Sequence, residues 1–214
     1  AAGLCSGPTG FVFAPATPQL SGLMKRWIAS PPLRPLLGGI VVATAVWALD
    51  GYRYIGLGIP TIVEAFQAPL APWDFFGKLA FTVASLGTGF KGGEVTPLFY
   101  IGATLGNAMA PLLHLPFSML AAIGFVAVFA GAANTPVATI VMAVELFGPA
   151  IGPLAAIACI ASYLFSGHAG IYHAQRVGHS KHRRTLPEEL RIADIAQYRK
   201  QAAAKKAANP EEKQ

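Results

Sequence analysis

Apolar residues run through this chain in blocks, and glycine, proline and short polar strings separate them. The blocks at 36–49 (LLGGIVVATAVWAL), 75–87 (FFGKLAFTVASLG), 118–132, 136–147 and 153–166 each predict a helix, as does the stretch from Pro97 to about Leu113. Asp74 is placed to cap the helix that follows it. Pro97 and Pro136 suit a first helical turn, where the missing N–H would be unpaired in any case. Residues 1–24 are apolar but carry Pro15 and Pro18, so they predict only a poor helix, followed by a basic, proline-bearing connection at 25–35 (KRWIASPPLRP). GYRYIGLGIP reads as a turn and Thr61 to Phe66 as a short helix. A last short segment falls around Ile171 to Arg176, and the remainder is a polar, Ala/Lys-rich tail, helical or disordered.

Few of these segments reach the ~20 residues that cross a bilayer. Short helices that stop at Gly or Pro within apolar surroundings are the pattern of transporters with sites near the midplane. Irregular backbone survives there only where protein or a water-filled cavity shields it. The predicted fold is therefore all-α, a polytopic helical membrane protein with short broken helices.

Composition supports that class. Hydrophobic residues make up 54% and charged residues 12%, against about 25% charged in a soluble domain. No Lys or Arg occurs from Gly92 to Gln175, and the only acids there are Glu94 and Glu145. The net charge of +6 does not point to nucleic acid, because ten of the sixteen Lys and Arg lie from Arg176 onward, mixed with acids and without interleaved aromatics. A basic tail after the last apolar block places the C-terminus in the cytoplasm. The expected division is a membrane domain over 1–176 and a basic cytoplasmic tail over 177–214. Cys5 and Cys159 indicate no disulfide framework. The opening AAGLCSGPTGFVFA, without Met, reads as the continuation of something longer.

The densest candidate chemistry is the string Gly87-Thr88-Gly89-Phe90-Lys91-Gly92-Gly93-Glu94-Val95-Thr96-Pro97. The first N–H groups of a helix lack intrahelical partners, and the helix dipole adds partial positive charge there. Such a terminus binds anions. Gly92 and Gly93 would let backbone approach an ion, or simply serve the turn. Thr96 adds a hydroxyl donor. Glu94, an acid at membrane depth, reads either as a proton-transfer group or as a carboxylate that only complements the dipole. Phe90 reads as a gate on the path or as packing, and Lys91 as a side chain reaching water. His168, His173, His179 and His182 have no recognised metal spacing, and neither metal nor cofactor is expected. Glu145 reads as a packed structural acid. No Ser–His, paired-Asp or HExxH constellation marks an enzyme.

The string GGEVTPLFYIGATLGNAMAP resembles the CLC chloride channel and transporter family, in which a Gly-x-Phe-x-Pro motif opens a helix whose N-terminus lines the anion path. Gly93-Glu94-Val95-Thr96-Pro97 matches that frame. GAANTPVATIVMAVELFG has a counterpart there, and SGHAGIYHAQR resembles the segment that presents an anion-coordinating tyrosine, here Tyr172. Without the resemblance Tyr172 would read equally as an interfacial aromatic. Val95 stands where most members have Phe, a variant similar to the bacterial fluoride/proton antiporter branch. There, positions matching Glu94 and Thr96 are associated with proton and fluoride handling.

The resemblance implies an anion pathway of Phe90, Gly92, Gly93, Glu94, Val95, Thr96 and Tyr172, with Glu94 transferring protons. It implies a multi-pass protein of the cell inner membrane that moves halide, fluoride in exchange for protons, and is a homodimer when intact. A chloride-selective channel or exchanger is the first alternative. The family is built from two inverted halves, and the first half's Gly-Arg-Glu-Gly-like loop has no match here. The chain is therefore expected to cover the second half, partnered by lipid, halide, protons and the missing N-terminal half. A non-transporting membrane subunit or inactive truncated product is the second alternative.

Overall fold

The computed structural model describes residues 2–167, 170–172, 174–176, 181, 190–195, 197–198 and 201. Eight α-helices fall among them: α1 (Ala2–Trp27), α2 (Leu33–Ala48), α3 (Ile59–Ala65), α4 (Asp74–Thr88), α5 (Val95–Leu113), α6 (Phe117–Ala133), α7 (Pro136–Phe147) and α8 (Gly152–Phe165). Short 3₁₀ turns lie at Gly51–Tyr54, Pro149–Ile151 and Ile192–Asp194. The described residues contain no named strand, only an isolated antiparallel bridge between Arg176 and Arg191. No helix among them is long and apolar enough to cross a membrane. The chain divides into a first unit, Ala1–Ile171, and a second, Tyr172–Gln214. Within the second unit the Ile192 N–H donates to the Gln175 carbonyl at 3.0 Å.

The expected helix positions hold for α5 to α8, with α7 at 136–147 as read. The helix expected over 1–24 forms and is unbroken, whereas the cap expected at Asp74 does not form. Pro8, Pro15 and Pro18 lie inside α1, which continues without a break to Trp27. This helix packs against α4, α6 and α8, and such tertiary packing outweighs the lost hydrogen bonds, as it does for membrane helices in general. Asp74 does not cap α4. The cap position is Trp73, Asp74 is the first helical residue, and no side-chain cap bond forms. The carboxylate turns instead toward Tyr54 and Arg53.

Helix α6 is buried over most of its length and packs against α1, α5, α7 and α8. What lets the backbones approach is the absence of side chains. A Cβ at Gly102 of α5 would collide with the carbonyl of Gly124 on α6 and come within 2.9 Å of the Phe125 Cα. One at Gly106 would collide with the Leu120 carbonyl, and one at Gly124 would lie 3.0 Å from the Gly106 Cα. Gly102 and Gly106 form a small-xxx-small face, the usual device by which helices approach closely in lipid. Helix α1 repeats it: Cβ atoms at Gly3 and Gly7 would lie 2.7 Å from the Ala158 carbonyl and the Phe165 Cβ of α8.

Helix α5 also organises the segment before α4. Asn107, 1% exposed, donates from Nδ2 to the carbonyls of Ala65 (2.7 Å) and Ala68 (2.8 Å), and its Oδ1 accepts the Leu70 N–H at 2.9 Å. The amide thereby occupies both donors and its acceptor on the chain leaving α3, so a buried polar group is fully paired.

The α5–α6 crossing yields a prediction with an internal control. Gly124→Val should lower the free energy of unfolding by about 1–3 kcal/mol or more, through forced separation of the two backbones. Gly93→Ala, where nothing lies within 4 Å of the added carbon, should stay within about 0.5 kcal/mol. Denaturant unfolding in detergent, followed by circular dichroism, measures both.

Candidate functional site

Helix α4 ends where Gly89 adopts φ +113°, a left-handed conformation that suits glycine. Its N–H donates to the Leu86 carbonyl at 3.1 Å, and the Phe90 N–H reaches the Ser85 carbonyl at 3.3 Å. The chain then runs through Phe90–Glu94 and re-enters a helix at Val95, with Glu94 at the cap position. The predicted residues Phe90, Gly92, Gly93, Glu94, Val95 and Thr96 are thus one connected run at the N-terminus of the 19-residue helix α5.

Inside that run the residues differ. Pro97 is the third helical residue and brings no N–H, while the Leu98 N–H already bonds the Glu94 carbonyl at 3.2 Å. Helical geometry leaves the Val95 and Thr96 N–H groups without a carbonyl one turn back. The donor set is therefore smaller than the four groups a helix start usually offers. Val95 packs its side chain with Leu98 and Ile101 against the core, so its contribution to an anion site would come from backbone. Glu94 and Thr96 are half-buried. Gly92 and Gly93 are exposed, and neither takes a left-handed φ. A Cβ at Gly93 would meet open space, and one at Gly92 would come 3.1 Å from Leu86 Cδ2. Their small size keeps this side of the loop open. Phe90 lays its ring edge 3.1 Å from the Cβ position of Gly39 on α2 and stays 46% exposed.

Tyr172 lies in the second unit and is 47% exposed. His168, His173, His179 and His182 lie outside the described residues. Among the described residues no group of three or more His, Cys, Asp or Glu could hold a metal ion.

A second polar constellation escapes the sequence reading. Asp74, fully buried, accepts a hydrogen bond from the Tyr54 hydroxyl at 2.7 Å and pairs with Arg53 Nη1 at 3.1 Å. Arg53 Nη2 also meets the more exposed Glu64 at 3.1 Å. Burial, then the bonded Asp74, raises the Tyr54 hydroxyl above its ordinary pKa and keeps it a donor. Lys78, 1% exposed, donates to the carbonyls of Tyr54 (3.0 Å) and Gly56 (2.6 Å), with its amine 5.1 Å from the Tyr100 ring centre. The available signal was Lys78 itself, a cation inside the apolar string FFGKLAFTV. The carbonyls it serves lie more than twenty residues away, and nothing in the local pattern indicates them.

Comparison with known proteins adds to this geometry. Residues 1–167 match the family model described as voltage gated chloride channel. The chain is 71% identical over 208 residues to the chloride/fluoride channel protein of Pseudomonas syringae pv. tomato, an alignment covering 94% of this chain and 46% of that protein. It superposes on the crystal structure of a CLC-type fluoride/proton antiporter with a TM-score of 0.77 and 37% identity, covering 80% of this chain and 44% of that one. The chain therefore spans about half the length of the relatives it matches.

The buried lysine gives a prediction of its own. Lys78→Met keeps the aliphatic stem but leaves the Tyr54 and Gly56 carbonyls without their donor. Stability should fall by about 2 kcal/mol or more, given about 1–3 kcal/mol for each buried group left unpaired. Glu64→Gln, on the exposed arm of Arg53, should cost less than about 1 kcal/mol. Thermal unfolding of both variants in detergent separates the two contributions.

Proposed function

This chain belongs to the voltage-gated chloride channel family, the CLC family, and is a helical membrane protein; on that premise we propose that it forms part of a halide transporter that exchanges fluoride for protons. The observation that carries the reading is the start of α5, where Glu94 and Thr96 flank Val95 at the cap and second helical positions beside an exposed Gly92-Gly93. Backbone N–H groups and the dipole favour an anion there. Fluoride is a small, strong acceptor, suited to a hydroxyl, amides and a protonated carboxyl in close succession. Glu94 carries the proton, and Thr96 and the Val95 backbone hold the anion. The Tyr172 hydroxyl is a further anion donor in this reading.

The relatives support fluoride: one is a chloride/fluoride channel protein, the other a fluoride/proton antiporter. A chloride-selective channel or exchanger is the competing reading, and the first of those names includes chloride. In the proposal, residues 1–176 form the membrane domain and 177–214 a basic cytoplasmic tail in a multi-pass protein of the cell inner membrane. The transport path is completed by partner segments not present in this chain, and the intact assembly is a homodimer.

Two measurements test this. In a complete transporter carrying this sequence, Thr96→Val removes one donor with little change of shape. It should weaken fluoride binding roughly tenfold to a hundredfold, from about 1.5–3 kcal/mol for a bond to a charged group. Glu94→Gln keeps a neutral donor but cannot cycle a proton, so it should impair proton-coupled flux more than binding. Fluoride efflux, proton flux and calorimetric binding are followed together. Wild-type behaviour of both variants would make the loop structural, and preference for chloride over fluoride in the parent would favour the competing reading. For orientation, single cysteines placed after Arg176 should be labelled only from the cytoplasmic face. Labelling from the outside alone would reverse the orientation.

A further inference from the structure

We infer that the end of the first unit formed by the α1–α2 connection is a binding surface for the phosphate headgroups of anionic phospholipids. Lys25 and Arg26 occupy the last turn of α1 and are exposed. Trp27 follows them at 75% exposure. Arg34, at the start of α2, folds the connection back. Its Nε donates to the Ile28 carbonyl at 2.9 Å and its Nη2 to the Ala29 carbonyl at 3.1 Å. The exposed Lys91 belongs to the same end, because a Cβ at Gly89 would lie 3.7 Å from Pro35 Cδ and the Phe90 ring rests against Gly39.

Four of the six Lys and Arg that precede Arg176 therefore gather at one end of the unit. No acid occurs in residues 1–49. Arg53 pairs with Glu64 and Asp74, whereas neither Lys25 nor Arg26 makes an ion pair among the described residues. The charge of Lys25 and Arg26 is thus offered outward, with no carboxylate partner among the described residues.

The surroundings select a lipid rather than a dissolved anion. Leu23, Leu33, Leu37 and Ile40 are exposed just inside the cations, where acyl chains would lie. Tryptophan beside basic residues is the side-chain pair that settles at headgroup level. Basic residues at an anionic membrane surface gain about 1 kcal/mol each, a factor of about five per side chain. Lys25 and Arg26 supply the headgroup contact. Arg34 is a positioning residue, since its guanidinium is committed to backbone carbonyls.

The chain contains three tryptophans, Trp27, Trp47 and Trp73, so Trp47→Phe with Trp73→Phe leaves Trp27 as the only indole. The 214-residue chain with these changes is reconstituted into mixed vesicles in which either phosphatidylglycerol or phosphatidylcholine carries brominated chains at equal mole fraction. Brominated phosphatidylglycerol should quench Trp27 several-fold more effectively, and adding Lys25→Gln with Arg26→Gln should bring the two lipids to parity. Equal quenching in the parent, or a preference unchanged by the double substitution, overturns the inference. A second readout does not depend on the tryptophan changes: the unmodified chain should melt at a higher temperature with phosphatidylglycerol than with phosphatidylcholine, and no such rise likewise overturns it.

Discussion

Helix α5 can lie where it does only because Gly102 and Gly106 leave nothing between its backbone and that of α6. In lipid there is little hydrophobic gain from bringing two apolar helices together, so close packing must hold them. Once α5 is seated, three of its side chains and its N-terminus define the rest of the first unit. Asn107 pins the end of α3 through the Ala65 and Ala68 carbonyls and the Leu70 N–H. Tyr100 forms a wall against Lys78 and against Gly58, whose φ of +71° and contact with that ring both exclude a side chain. Val95 locks the first turn into the core. The geometry of the Glu94–Thr96 region thus follows from glycines two and three turns farther along the same helix.

The helices were legible in the sequence where apolar blocks are bounded by local stop signals. Pro136 opens α7 and Gly148 closes it, so its bounds follow from neighbouring residues alone. The same logic fails for α1, because proline's effect on a helix depends on what surrounds it, and α4, α6 and α8 are invisible in its local pattern. Asp74 shows the same limit. Its composition and position suit a cap, but Tyr54 lies twenty residues upstream and takes the carboxylate. The α5 terminus was readable because Glu94, Val95, Thr96 and Pro97 are contiguous. Its reduced donor set was also implicit, since Pro97 supplies no N–H. Tyr172 is a different case: its link to the site came from resemblance, and it belongs to another unit of the chain.

Charge placement gives the first unit two unlike ends. At one, Arg53 is shared between Glu64 and Asp74, and Lys78 is enclosed by backbone carbonyls and the Tyr100 ring. Cations there are neutralised or buried, which holds the turn at 51–58 in place. At the other end Lys25, Arg26 and Lys91 face outward. Removing one member of an enclosed charge group leaves its partners buried and unpaired, which is costly. A charge without such partners contributes little to folding and is available to the medium. At the first end the acids come from α3 and α4, and at the second neither Lys25 nor Arg26 has such a partner among the described residues. The asymmetry therefore assigns the Arg53–Lys78 group to structure and the Lys25–Arg26 group to contact with the membrane surface. The α5 terminus needs no full positive charge of its own, since backbone dipoles can favour an anion while still allowing its release.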